Sequence, residues 1–190
     1  MSLIPVFKIS LWNAWIFMLY IVFYTVFFLR LAKEKDATSP SEVELSKTKM
    51  SLCIFSKLII VPAVIYSVFL PLKLGTTWFC AGLPIALIGI ITGTMVLRNW
   101  ANTPPGEPVT RGLYIYSRHP MYITTFLFFL GVTIASASSV FLLVTIIFIV
   151  GAVVFIGFEE EQCLEKYGDT YREYMDRTPR WIGIPKSKKN

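Results

Sequence analysis

Five runs of apolar residues organise this chain, at roughly 11–31, 53–71, 76–97, 119–135 and 138–158. A segment crossing a bilayer needs about 20 such residues, wound into a helix so that every backbone N–H and C=O is satisfied without water. A chain of 190 residues divided in this way has no room for a soluble domain of useful size. The expected architecture is all-α: one multi-pass membrane domain over 1–190, with five transmembrane helices. The segment IASASSV between the last two runs is too short for anything but a tight turn, so they form a helical hairpin. The fifth run passes into Glu159, Glu160 and Glu161 without a Gly or Pro break, which predicts that its helix continues into a cytosolic C-terminal helical segment.

Charge placement suggests an orientation. Hydrophobic residues make up 55% of the chain and charged ones 16%, and the charges fall in blocks. Lys and Arg concentrate at 30–49, 98–118 and 166–189, whereas the turns at 72–75 and 136–138 hold one and none. Five alternating spans put the three rich blocks on one side. The positive-inside rule makes that side the cytosol, with the N-terminus outside and the C-terminus inside. The net charge of +6 is then a basic rim facing anionic lipid headgroups, and nucleic acid is not implied. Cys53, Cys80 and Cys163 are dispersed without a CxxC pair, so neither a disulfide framework nor a metal site is expected. The first run lacks a small-residue cleavage site behind it and reads as a retained span.

Several local signals refine the picture. Ser41 and Glu44 have capping-box spacing within a polar linker from Leu31 to Met50, as do Thr170 and Glu173 after the helix-breaking Gly168. Gly82, Gly89 and Gly93 let helix backbones approach closely; Gly89 and Gly93 match a GxxxG packing pattern, and their thin surface is a candidate gap for a lipid entering between helices. Leu164, Tyr167, Tyr171 and Tyr174 recur at helical spacing and predict one aromatic stripe.

The chemistry concentrates in two polar blocks that flank the hairpin. Before it stands RNWANTPPGEPVTRGLYIYSRHPMY, with the chain's one histidine, His119; after it stand the glutamates and the tyrosine stripe. A hairpin returns to the face it left, so the regions 98–122 and 156–185 meet there. Singly, these residues have structural explanations: His119 before Pro120 as a helix cap, the arginines as lipid-phosphate contacts, the tyrosines as an interfacial belt. Together, a long Pro-rich loop apposed to clustered carboxylates predicts a functional pocket.

Gly112-x-Tyr114-x-x-x-Arg118-His119-Pro120-x-Tyr122, followed by Glu159-Glu160 and Leu164-Glu165-Lys166-Tyr167-Gly168-x-x-Tyr171-x-x-Tyr174, resembles the isoprenylcysteine carboxyl methyltransferases. These integral membrane enzymes are similar also to phospholipid N-methyltransferases. The resemblance implies methyl transfer from S-adenosylmethionine to the α-carboxylate of a prenylated C-terminal cysteine, or to a similar lipophilic acceptor, in the endoplasmic reticulum or the cell membrane. It implies donor binding by Tyr114, His119, Pro120, Tyr122, Glu159 and Glu160, and by the loop segment Glu107-Pro108-Val109. Arg118 and His119 are the groups it places nearest the reaction, and the acceptor would slide in laterally from the bilayer. Such roles suit the chemistry. A carboxylate accepts from the donor's amino group and ribose hydroxyls, a cation holds its carboxylate, and aromatic faces suit a sulfonium. The eukaryotic enzymes place an arginine one turn before the acidic pair, where this chain has Phe155-Ile156-Gly157-Phe158. Either Arg98, Arg111 or Arg118 takes that place, or the acceptor is not a prenylcysteine carboxylate. Sterol-type reductases using NADPH share part of the RHPxY pattern in chains about twice as long, and remain an alternative by analogy. A non-enzymatic lipid-binding membrane protein is the third.

Overall fold

The computed structural model describes the backbone of residues 9–37 and 46–186, and side chains there except those of 35–57. Helix α1 spans Trp15–Ala37, α2 Ser46–Phe69, α3 Thr77–Ala101, α4 Pro120–Ser136, α5 Ser139–Tyr167 and α6 Asp169–Arg177, with a 3-10 turn at Gly112–Ile115. Among the described residues there is no strand, only an isolated bridge between Asn13 and Pro71. Each expected run is helical. Three helices are long and apolar enough to cross a membrane: Trp15–Glu34, Thr77–Ala101 and Ser139–Tyr167. Helix α4, at 17 residues, and the described apolar part of α2, Leu58–Phe69, are shorter than that.

The polar linker expected from Leu31 to Met50 is largely absorbed into helix, α1 running on to Ala37 and α2 starting at Ser46. Lys and Glu are good helix formers, so charge alone does not end a helix. The Ser41–Glu44 capping box, the side chains of Cys53 and Lys57 and the last residues of the basic tail lie outside what the structure describes.

Backbone hydrogen bonds fix the order of ends. Ala14 N donates to Leu70 O at 2.8 Å and Leu72 N to Trp12 O at 3.2 Å, joining the start of α1 to the end of α2. Lys73 N reaches Ala135 O at 3.1 Å, adding the end of α4 to the same cluster. The loop 102–119, the end of α5 and α6 therefore gather at the opposite end. At the turn between α4 and α5, Ala137 adopts the left-handed conformation and Ser138 caps α5 by accepting from Phe141 N, giving the expected hairpin. Thr133 and Thr145 share a buried hydroxyl hydrogen bond of 2.9 Å across it.

Helices α3 and α4 make the closest pair, because small residues let their backbones approach. A Cβ added at Gly82 would stand 2.3 Å from Ala135 N, and one at Gly131 2.2 Å from Ala86 N. The fully buried Phe128, Phe129 and Val132 of α4 then fill the centre against Phe141 of α5 and Met18 of α1. Gly89 belongs to this seam: a Cβ there would meet Phe128 N at 2.5 Å. Gly93 faces the Tyr20 hydroxyl of α1. The lipid-entry gap expected at Gly89 and Gly93 is thus filled by α4 and α1, since a thin helix surface attracts the nearest helix before it attracts lipid.

Candidate functional site

A second, smaller core holds the polar end together. Val96 of α3, Tyr114 of the 3-10 turn, and Tyr171 and Tyr174 of α6 are buried against one another. The Tyr174 hydroxyl donates to Tyr114 O at 2.7 Å, which pins α6 beneath the loop. Burial pushes all three phenols above the ordinary tyrosine range, so they stay neutral at physiological pH. The expected tyrosine stripe therefore packs the loop, and Tyr171 and Tyr174 do not face the cavity described below. Gly168 does interrupt the helix, at φ 55°, but α6 restarts at once from Asp169, ahead of Thr170 and Glu173, and no side chain caps it.

The loop delivers His119 to α5. Pro120 occupies the first turn of α4, where its missing N–H costs nothing. His119 stands at the N-cap position, yet its side chain caps no backbone group. Its ring turns to α5, with Nε2 3.1 Å from Glu160 Oε1 and Nδ1 3.6 Å from Glu159 Oε2. Arg118 Nη2 lies 3.3 Å from the same Glu160 oxygen. Of the arginines considered for this position, Arg118 is the one at the acidic pair; Arg98 and Arg111 are exposed. Glu161 is also exposed, while Glu160 is only 3% exposed, so the pair meeting His119 is Glu159-Glu160.

Arg180 completes the cluster, and nothing in the sequence singled it out. Its Nε donates to Glu160 Oε1 at 3.2 Å and its Nη2 to Oε2. The backbone after α6 runs back along the loop: Arg118 N donates to Pro179 O, Ser117 Oγ to Arg180 O and Gly183 N to Tyr116 O. This strap lays the guanidinium over the carboxylate, whose charge holds Arg180 above its ordinary pKa. Glu160 thus has both oxygens engaged by side chains of this chain.

Glu159 is placed differently. Its side chain is 39% exposed, and its Oε2, which faces His119 Nδ1 at 3.6 Å, is itself buried and short of hydrogen-bond distance. The Nε of Arg118 is likewise buried without a hydrogen bond, and both residues line a cavity of about 190 Å³. The Tyr122 ring, 6.2 Å from that of His119, lines it as well, with Tyr114, Pro120 and Met121. The remaining wall is mostly apolar, contributed by α1, α2 and Phe148 of α5, with Tyr24, Thr25 and Thr125 as its polar members. A buried donor and acceptor without a hydrogen bond at one end of a largely apolar cavity suit a ligand with matching polar atoms.

Glu107, Pro108 and Val109 are not brought there. The turn closed by Glu107 N to Pro104 O at 3.3 Å leaves Glu107 exposed, and Val109 packs on the tyrosine core. Among the described residues no group of His, Cys, Asp and Glu could hold a metal ion.

A family model described as phospholipid methyltransferase matches residues 72–170, just over half of the chain. The match runs from the turn before α3 to the start of α6, and so includes His119, Glu159 and Glu160 but not α1, α2 or Arg180. No curated protein and no solved structure matches.

Proposed function

The chain belongs to the phospholipid methyltransferase family, and from that premise we propose that it moves a methyl group from S-adenosylmethionine to a lipophilic acceptor held within the membrane domain. The observation that carries this reading is the meeting of Arg118 with Glu160 and of His119 with both Glu159 and Glu160, beside a largely apolar cavity that Arg118, His119 and Glu159 line. S-adenosylmethionine supplies an activated methyl group on a sulfonium. Glu159 accepts from the donor's amino and hydroxyl groups, and the spare Nε of Arg118 offers a hydrogen bond to its carboxylate. His119 and Tyr122 wall the same end, and Glu160 holds Arg118 and His119 in position. No general base is needed for an acceptor carboxylate, which is ionised at neutral pH. The work of these residues is orientation and exclusion of water.

The first acceptor proposed is the α-carboxylate of a prenylated cysteine, in keeping with the RHPxY and Glu-Glu resemblance. The second is the amine of a phospholipid headgroup, favoured by the family match. As an ammonium it must give up a proton before its nitrogen takes the methyl group, and for this acceptor the Glu159 carboxylate at the cavity is the group that can accept it. Either acceptor enters from the bilayer, since a buried CH₂ is worth about 0.8 kcal/mol and a long tail stays in lipid. The basic blocks support an N-terminus outside and a C-terminus in the cytosol, where the donor is dissolved.

The detergent-solubilised chain is to be incubated with methyl-labelled S-adenosylmethionine and either N-acetyl-S-farnesylcysteine or phosphatidylethanolamine. Label in an alkali-labile ester supports the first acceptor, and stable label in the phospholipid the second. No label in either, with calorimetric binding of NADPH and none of S-adenosylhomocysteine, would overturn the proposal. His119→Ala and Glu159→Gln are expected to weaken S-adenosylhomocysteine binding by about 1.5–3 kcal/mol each, the worth of a charge-assisted hydrogen bond. Unchanged binding in both folded variants would remove these residues from the donor site.

A further inference from the structure

Three of the chain's buried polar atoms without a hydrogen-bond partner line the same cavity: Arg118 Nε, Glu159 Oε2 and the hydroxyl of Tyr24. The first two stand at the polar end. Tyr24 belongs to α1, outside the region matched by the family model, and the rest of the wall from α1 and α2 is Ile21, Thr25, Phe28, Leu29, Ile59 and Ile60.

An unpaired phenol in such surroundings is costly, because a buried hydroxyl without a partner forfeits its hydration. Other phenols of this protein have found partners. Tyr20, one turn earlier on α1, donates to Ile90 O at 3.1 Å and meets Thr94; Tyr66 pairs with Ser138, and Tyr174 donates to Tyr114 O. The Tyr24 ring is held by Tyr20, with centroids 5.7 Å apart, so its position is set by packing.

We propose that the Tyr24 hydroxyl is a specificity-determining contact for the acceptor, donating a hydrogen bond to an anionic oxygen of its head while the apolar wall takes the lipid tail. This rests on the methyl-transfer reading above for the identity of the ligand as acceptor. The head chemistry it fits is a carboxylate or phosphate oxygen, which is a strong acceptor and is carried on a lipid by both a prenylated cysteine and a phospholipid. Tyr24 enters the cavity from α1 and the acidic pair from α5, so α1 selects the acceptor while the loop and α5 hold the donor.

Tyr24→Phe tests this with little risk to folding, since the hydroxyl removed bonds nothing in the protein. Binding of N-acetyl-S-farnesylcysteine and of phosphatidylethanolamine is to be measured in detergent micelles by tryptophan quenching, for the native chain and the variant. S-adenosylhomocysteine titration, melting temperature and methyl transfer are read in parallel. The expected result is about 3–10-fold weaker binding of whichever lipid the native chain binds, with donor affinity unchanged and melting temperature not lowered. A loss confined to the farnesylcysteine identifies a carboxylate head, and one confined to the phospholipid a phosphate head. Equal lipid binding by both proteins, equal loss of lipid and donor affinity, a lowered melting temperature, or no binding of either lipid to the native chain overturns the proposal. Tyr24-dependent binding without any methyl transfer would leave the contact standing and remove the methyltransferase reading. Methyl transfer with unchanged lipid affinity in Tyr24→Phe would do the reverse.

Discussion

Replacing Glu160 with alanine is expected to destabilise the protein by about 3–5 kcal/mol, the usual cost of removing one partner from a buried ion pair. The size of the effect follows from what is left behind. Arg118, with 10% of its side chain exposed, loses its counter-charge, and the buried His119 loses its Nε2 contact. Arg180 contributes less, because with 49% of its side chain exposed it can regain water. Glu161→Ala is the control: that neighbour is exposed, and a surface change of this kind stays within about 0.5 kcal/mol. Thermal melting in detergent compares the two. Equal melting temperatures would mean that the four-residue cluster holds nothing together.

Gly131→Leu is expected to be at least as damaging, by about 3 kcal/mol or more, and to reduce the yield of folded protein. A Cβ at this position would stand 2.2 Å from Ala86 N and 2.6 Å from Ala86 Cα, atoms that cannot move without shifting a whole helix. The reciprocal contact, Gly82 against Ala135, means that both helices would separate along most of their shared length. Gly157→Leu serves as the comparison, because nothing lies within 4 Å of its added Cβ. If Gly131→Leu melts with the native protein while Gly157→Leu also does, the α3–α4 seam is looser than described.

The parts of this molecule that were legible in the sequence depend on local periodicity. Apolar runs became helices because each carries its own hydrogen bonds, and IASASSV became a turn because nothing longer fits. The pairing of His119 with Glu159 and Glu160 followed from one further step, the return of a hairpin to its starting face. Arg180 lay beyond that step: the break at Gly168 and the helical stripe through Tyr174 were visible, but the strap that bonds to residues 116–118 and carries Arg180 to Glu160 has no periodic signature. The seam glycines show the same limit. Gly82 and Gly89 were visible within one helix as places of close backbone approach and both lie in the seam, whereas Gly131 was not, because only the pairing of α3 with α4 relates it to Ala86. Glu107 was placed in the site by resemblance alone, and a turn at Pro104 leaves it in solvent.

The strap also sets a timetable for assembly. Arg180 follows all of the apolar helices in the chain, so a ribosome finishes every one of them before this guanidinium exists. During that interval Glu160 can draw only on Arg118 and His119, and the loop 116–118 lacks the backbone partners that Pro179, Arg180 and Gly183 later provide. A nascent chain can therefore be fully inserted while its charged pocket is still unfinished, and the closing event is the docking of a few residues at the membrane surface. Competence for ligand would be acquired last, in a single late step separable from insertion.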